Sequence, residues 1–462
     1  MEQTYDDCQF IKANRKGKIL RFAFRRAFDT CNLDDYIIDT GTTHLVYASG
    51  SGPIVRLDGL RLNAFNHGFQ RVQLLKTVDV STELLSPETK TFDATNINLT
   101  VPDVETTYWC KLFKFPENFR QKIHIVQYEA IITPGNENLA HHMELFHCEV
   151  NDTLELNDYD GFCSKIPDEL KPCKRVTAAW AYGAGPMVYP KHVGLPVGGK
   201  GYSPYIMLEV HYNNPSHIQD QVDNSGIRIF YTENLRPVDA GIIEIGLEYT
   251  DKNSIPPQTE MTIHGYCVAE CTRAGLPPYG INLFASQLHT HLTGVRSYTK
   301  HIRGGIELPE INRDNHYSPH YQEIRLLPHP ITVFPGDALV HACVYRTMDR
   351  INMTLGGFGI RDEMCVNYIH YYPKTNLEVC KSSIDTEALY EYFDNLNIFE
   401  LQNTSRNYPV SDNYYNIEWN RKRARDLDEL YQNSPLSMQC NQSTGQRFPV
   451  SFPIFYQNFY QF

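Results

Sequence analysis

The chain has 462 residues, 42% of them hydrophobic and 21% charged, which excludes an intrinsically disordered protein and suggests more than one domain. A formal net charge of −12 argues against a nucleic-acid-binding surface and weakly for a neutral or cationic small substrate. No stretch approaches the roughly 20 consecutive apolar residues that a membrane-spanning helix requires.

The N-terminus, MEQTYDDCQF, is polar and acidic and lacks the apolar segment of a signal peptide. KILRFAFRRAF (18–28) alternates apolar and polar residues and predicts a strand. If residues 8–31 form a hairpin turning at NRKGK, Cys8 falls opposite Arg25 or Arg26. Cys31 would then lie ~20 Å farther along the strand, too far for a Cys8–Cys31 bond. The same alternation predicts strands at YIMLEVHY (205–212), GIRIFYT (226–232) and INLFASQLHTHL (281–292). Proline and glycine punctuate the chain at SIPPQTE, GLPPYG and FPGD, so many short strands joined by turns point to β-sandwiches. RKRARDLDELYQ (421–432) carries the helical pattern, with Leu427 and Leu430 able to share a face.

Twelve cysteines lie scattered along the chain without one CxxC pair; the closest are Cys267 and Cys271 in CVAEC. Dispersed cysteines in even number favour a disulfide framework and an oxidising compartment over a zinc ribbon. Sequons at Asn98, Asn151, Asn352, Asn403 and Asn441 agree with a secreted glycoprotein. With no signal peptide in view, the expectation is a fragment of a longer secreted precursor, resident in a vesicle lumen or outside the cell.

Histidine placement raises the question of metal. NENLAHHMELFHC (136–148) sets His141 beside His142 in a strand, where successive side chains point to opposite faces. Both reach one ion if one histidine bends back or uses its other ring nitrogen. SQLHTHLTG (286–294) spaces His289 and His291 two apart, so that one strand face presents both imidazoles. LEVHYNNP (208–215) adds His211, with Glu209 on its face. GGFGIRDEMCVNYIHYYP (356–373) holds Met364, whose thioether suits a soft ion such as Cu(I).

Together these four segments resemble the copper type II, ascorbate-dependent monooxygenases. The resemblance runs from about Asp29 to Gln446 and includes TTYWC (106–110) and DNHYSPHYQEIR (314–325). It implies an all-β fold of two jelly-roll-type sandwiches, one copper each, facing each other across a solvated cleft. The first would span 35–225 and the second 226–383, followed by a C-terminal extension, 384–462. Residues 1–28 resemble the closing strands of a preceding small β-domain (DOMON). The resemblance assigns His141, His142 and His211 to a three-histidine, electron-storing copper. His289, His291 and Met364 match the copper that meets oxygen and substrate. It further implies disulfides Cys110–Cys163, Cys148–Cys173, Cys267–Cys380, Cys271–Cys440 and Cys343–Cys365, leaving Cys8 and Cys31 over. His147 and His370 are expected to be structural.

Within that family the chain resembles the branch that hydroxylates the benzylic carbon of a phenylethylamine, tyramine to octopamine or dopamine to noradrenaline, using O2 and ascorbate. Peptide-amidating members carry an arginine where this chain has Gln287, so a carboxylate substrate is disfavoured. Glu209 would contact the amine or support His211, and Tyr368 would position oxygen or substrate or pack in its strand. NIFELQNTSRNYP (397–409) lacks the cysteines that link subunits in family members, which speaks against a covalent dimer and leaves a non-covalent homodimer open. The competing readings are a monooxygenase-like paralogue with another substrate and a non-catalytic, secreted, copper-binding β-sandwich protein.

Overall fold

Strands with one apolar face must pair and then stack to bury that face. The computed structural model, describing residues 8–17, 19–49, 66–75, 85–181, 184–214, 216–359 and 361–450, shows both steps. Expectations for residues 1–7 and 451–462 lie outside the described residues.

The chain divides into Met1–Lys76 and Thr77–Phe462. In the first unit, Cys8–Lys16 and Ile19–Arg26 form the expected hairpin, with Cys8 directly opposite Arg26. Thr43–Ser49 pairs with Asn66–Val72 in a second two-stranded sheet. The hairpin leaves Phe10, Phe22 and Phe24 exposed.

The second unit contains two β-sandwiches. One five-stranded sheet carries β1 (Thr106–Lys114), β2 (Ala140–Cys148) and β3 (Tyr205–Asn213), with β3 between the other two. Its inner face presents Met143 and Leu145 on β2 and Ile206, Leu208 and Val210 on β3, all fully buried. These pack with Ile123, Ile125, Ile227 and Ile229 of the sheet beneath. Each such side chain contributes about 1.5–3 kcal/mol on burial.

In the second sandwich, a six-stranded sheet contains β4 (Ile281–Thr290) and β5 (Cys365–Tyr372) and covers a four-stranded sheet. Leu436–Gln442 pairs with Leu377–Ile384, so the C-terminal segment completes this sheet. Helices Thr386–Glu400, Val410–Tyr415 and Arg421–Asn433 follow one another in the chain between those two paired strands. The last occupies the expected place, and its Leu427 is buried.

The structure departs from the sequence reading at two points. Gly226–Thr232, placed at the start of the second sandwich, hydrogen-bonds between Ile123–Ile131 and Lys90–Thr95 of the first. Its inward residues Ile227, Ile229 and Tyr231 need that sheet to bury them. The facing sheets also touch instead of standing wholly apart across solvent, because Gln287 Nε2 donates to Glu144 Oε1 at 3.3 Å.

Candidate metal centres

The outer face of β2 and β3 brings three histidines together. His211 is directly opposite His142, and the next paired residues are Tyr212 and Ala140. His141 is therefore the extra residue of a β-bulge, which bends the strand and frees its side chain from alternation. This is how neighbouring histidines reach one point. His142 Nδ1 lies 3.4 Å from His141 Nδ1 and 3.2 Å from His211 Nδ1. One nitrogen from each ring falls within 4.8 Å of the other two.

Tyr108 on β1 is paired with His211 and stacks on its ring, with centroids 4.4 Å apart and planes 2° from parallel. Burial, reinforced by the neighbouring imidazoles, pushes His142 well below the usual histidine range. The same causes push His211 down to about 3. Three imidazoles, two of them held neutral by burial, with a ring nitrogen of each converging on one point, make a donor set for a cation. That arrangement fits copper, for which imidazole is a good donor.

The second set comes from a strand end and a loop. His289 and His291 have ring centroids 5.3 Å apart. His291 Nδ1 lies 2.9 Å from the Asp362 carbonyl; as the donor in that bond, it leaves Nε2 for an ion. His289 Nδ1 is buried without a hydrogen-bond partner. Cys365 is paired with Thr290, the residue between the two histidines, which sets Met364 one step beyond that pair.

Three anchors hold the loop. The Glu363 carboxylate accepts from the backbone nitrogens of His291 and Thr293 at 2.9 and 2.6 Å. Tyr345 donates to the Met364 carbonyl at 2.8 Å. The Cys343–Cys365 disulfide fixes the residue after Met364. A set of two imidazoles and a buried thioether suits copper, and the reduced ion in particular.

Glu209 shares the face of His211 and stands opposite Glu144. Burial and the facing Glu144 charge raise the pKa of Glu209, whereas burial raises that of Glu144 against the bond from Gln287. Glu209 also touches the Cys110 sulfur, which is bound in a disulfide and has no proton to donate. Gln287 is fully buried and donates to the Gln322 carbonyl as well as to Glu144. Tyr368 is paired with Gln287, and its ring lies 6.0 Å from that of His289.

Sequence reasoning missed Glu144 and His320. Glu144 is two residues from His142 on the same strand, a signal that was present. His320 stacks edge-on to His141 at 5.3 Å, and only the fold reveals this.

Five disulfides close: Cys110–Cys163, Cys148–Cys173, Cys267–Cys380, Cys271–Cys440 and Cys343–Cys365. Cys8 and Cys31 are exposed and form none. The other clusters of metal-ligating atoms among the described residues all use disulfide sulfurs, which cannot offer thiolates.

Two family profiles match the chain. Residues 92–219 match the N-terminal domain, and residues 238–393 the C-terminal domain, of the copper type II ascorbate-dependent monooxygenases. The chain belongs to that family, and is an enzyme that uses copper and ascorbate. Its relatives include rat dopamine beta-hydroxylase, 45% identical over 98% of this chain and 73% of the relative. Human dopamine beta-hydroxylase is 45% identical over 96% and 72%. The tyramine beta-hydroxylase of Caenorhabditis briggsae is 41% identical over 92% and 73%. Among solved structures, allantoicase aligns with a TM-score of 0.17 at 12% identity, over 55% of this chain and 83% of that one.

Proposed function

We propose that the chain hydroxylates the benzylic carbon of a phenylethylamine, converting tyramine to octopamine or dopamine to noradrenaline. One oxygen atom of O2 enters the C–H bond, the other leaves as water, and ascorbate supplies two electrons. The observation that carries this reading is the three-imidazole cluster together with the Glu144–Gln287 bond, which ties its sheet to the strand that carries His289.

His141, His142 and His211 would hold one copper, and His289, His291 and Met364 the other. Copper, when bound, supplies the one-electron chemistry that O2 activation and ascorbate oxidation need. Around it, the chain's own residues do the rest. Tyr108 fixes the His211 ring, and the Asp362 carbonyl fixes the tautomer of His291. Gln287 offers a neutral amide, already donating to Glu144 and to the Gln322 carbonyl, and so supplies no positive charge for a substrate carboxylate. Glu209 and Glu144, facing each other and held toward the protonated form by burial, offer carboxyl oxygens that can accept from an ammonium group.

The five disulfides support residence in an oxidising secretory lumen or outside the cell. Among the described residues no helix is long and apolar enough to cross a membrane. Exposed Ile398, Phe399 and Leu401, at the end of helix Thr386–Glu400, support a non-covalent homodimer contact. The exposed phenylalanines of the Cys8–Arg26 hairpin support its assignment to a DOMON β-domain.

The test is turnover of both amines with ascorbate and O2, beside copper content. Hydroxylation with about two coppers per chain is expected from this family's paired domains. Efficient amidation of a glycine-extended peptide would overturn the amine reading. Glu209→Gln then separates its two roles. A higher amine KM, worth about 1.5–3 kcal/mol, marks substrate contact. A fall of roughly 10–100-fold in copper affinity marks support of His211 instead.

A further inference from the structure

Behind Tyr368 runs a buried chain of polar groups that the reaction as described does not use. Lys381, only 2% exposed, forms an ion pair with Glu244. Its ammonium also lies 3.5 Å above the ring of Tyr249. The Tyr249 hydroxyl donates to Glu244 Oε2 at 3.1 Å and lies 3.4 Å from the Tyr368 hydroxyl. Phe358 packs edge-on against Tyr249 at 4.8 Å and holds the ring from its other side. The strand register allows this line-up, since Glu244 on Gly241–Leu247 is paired with Tyr368 on β5. The same residue is paired in parallel with Val379 on the strand that carries Lys381.

Counting protons decides the direction of the chain. A tyrosine hydroxyl has one proton and two acceptor sites. The Tyr249 proton is committed to Glu244, which in turn faces the Lys381 ammonium. The contact between the tyrosines can therefore be satisfied only by the Tyr368 proton pointing at Tyr249. Tyr368 is left with lone pairs alone to offer on the side of Gln287 and His289.

We propose that Tyr249, anchored by Glu244 and Lys381, is a positioning residue that fixes Tyr368 as a hydrogen-bond acceptor, so that the site selects substrates bearing an N–H or O–H donor. This rests on the amine reading above and sharpens it: an ammonium group is such a donor, and a carboxylate is not. Without the Tyr249 hydroxyl, the Tyr368 proton is free to turn toward the site, and the preference is lost.

Tyr249→Phe keeps the ring that packs on Phe358 and Lys381 and removes only the hydroxyl. Calorimetric binding of phenylethylamine to the copper-loaded protein should weaken by about tenfold, the scale of one hydrogen bond to a charged group. Turnover should show the same change in KM with kcat, copper content and Tm unchanged. Tyr368→Phe should weaken binding to a similar degree, and the double variant no further, because the two hydroxyls act as one unit. Unaltered amine binding in Tyr249→Phe overturns the proposal, as does a loss of copper or Tm with KM unchanged. An unmutated protein that binds the amine without hydroxylating it sinks the functional reading alone, since binding still tests Tyr249. One that does not bind the amine sinks both.

Discussion

The two candidate metal sites are supported in different ways. His142 and His211 come from adjoining strands in the middle of a sheet, where the backbone ladder places them opposite each other and one bulge adds His141. His291 lies just past the end of β4, and Met364 just before the start of β5. Their geometry rests on a carboxylate, a tyrosine hydroxyl and a disulfide. A site held by register loses little when one supporting side chain changes. A site held by side chains depends on each of them, and its loop can yield when an ion changes its preferred geometry. That difference suits the roles proposed above, electron storage at the three-histidine set and reactant binding at the His/His/Met set.

The most severe test of that division is Met364→Ile, which keeps the apolar volume and removes the thioether. Copper content should fall from two to one per chain. Hydroxylation should drop by more than the roughly 10–100-fold that follows loss of a supporting partner. Normal activity with both coppers retained would end the assignment.

Replacing Cys343 and Cys365 by serine should cost about 2–4 kcal/mol of stability. It should weaken copper at the His/His/Met site and spare the three-histidine site. Equal weakening of both would show that the sites are not independently supported.

Acid should separate the two sandwiches in the copper-free protein. Burial pushes His147 in the first down to about 4, and His341 and His370 in the second to about 3. Each stays neutral in the folded chain and takes up a proton below about 6.5 once unfolded. Stability is therefore present above that value and is lost as pH falls toward the folded pKa. Between pH 7 and 5 each histidine should remove about 2 kcal/mol. Urea unfolding at the two values checks the loss, and hydrogen exchange should show it larger in the second sandwich, where burial also lowers His264, His289, His291 and His301, against His124, His142 and His211 in the first. A gain in stability on acidification would contradict burial of these histidines in the neutral form.

The smallest effect belongs to Tyr108→Leu, which removes the ring stacked on His211. It should cost about 0.5–1.5 kcal/mol. Competition with a chelator should show weaker copper at the three-histidine site alone.

Much of this was legible in the residues because the donors are rare and their spacings match strand geometry. The hairpin register placing Cys8 by Arg26 also followed from counting residues about the turn. The bulge did not, since no residue type around His141 demands one. The Glu144–Gln287 bond joins residues 143 positions apart, and no local pattern carries it. Tyr249 and Lys381 meet Tyr368 only through the order of strands in one sheet. Helix Thr386–Glu400 is a different kind of miss. Its buried Leu389, Tyr392, Phe393 and Leu396 follow helical spacing, and Asp385 caps its start, so its signal was present.

The bulge at His141 also has a genetic meaning. Ala140 and His142 already occupy consecutive rungs opposite Tyr212 and His211, with His141 looped out between them. An in-frame deletion of that one codon would leave an unbroken ladder, the same inward-facing core residues and a facing pair of imidazoles. The third donor thus rests on one extra residue in the ladder between β2 and β3. Its gain or loss requires no reorganisation of the surrounding fold.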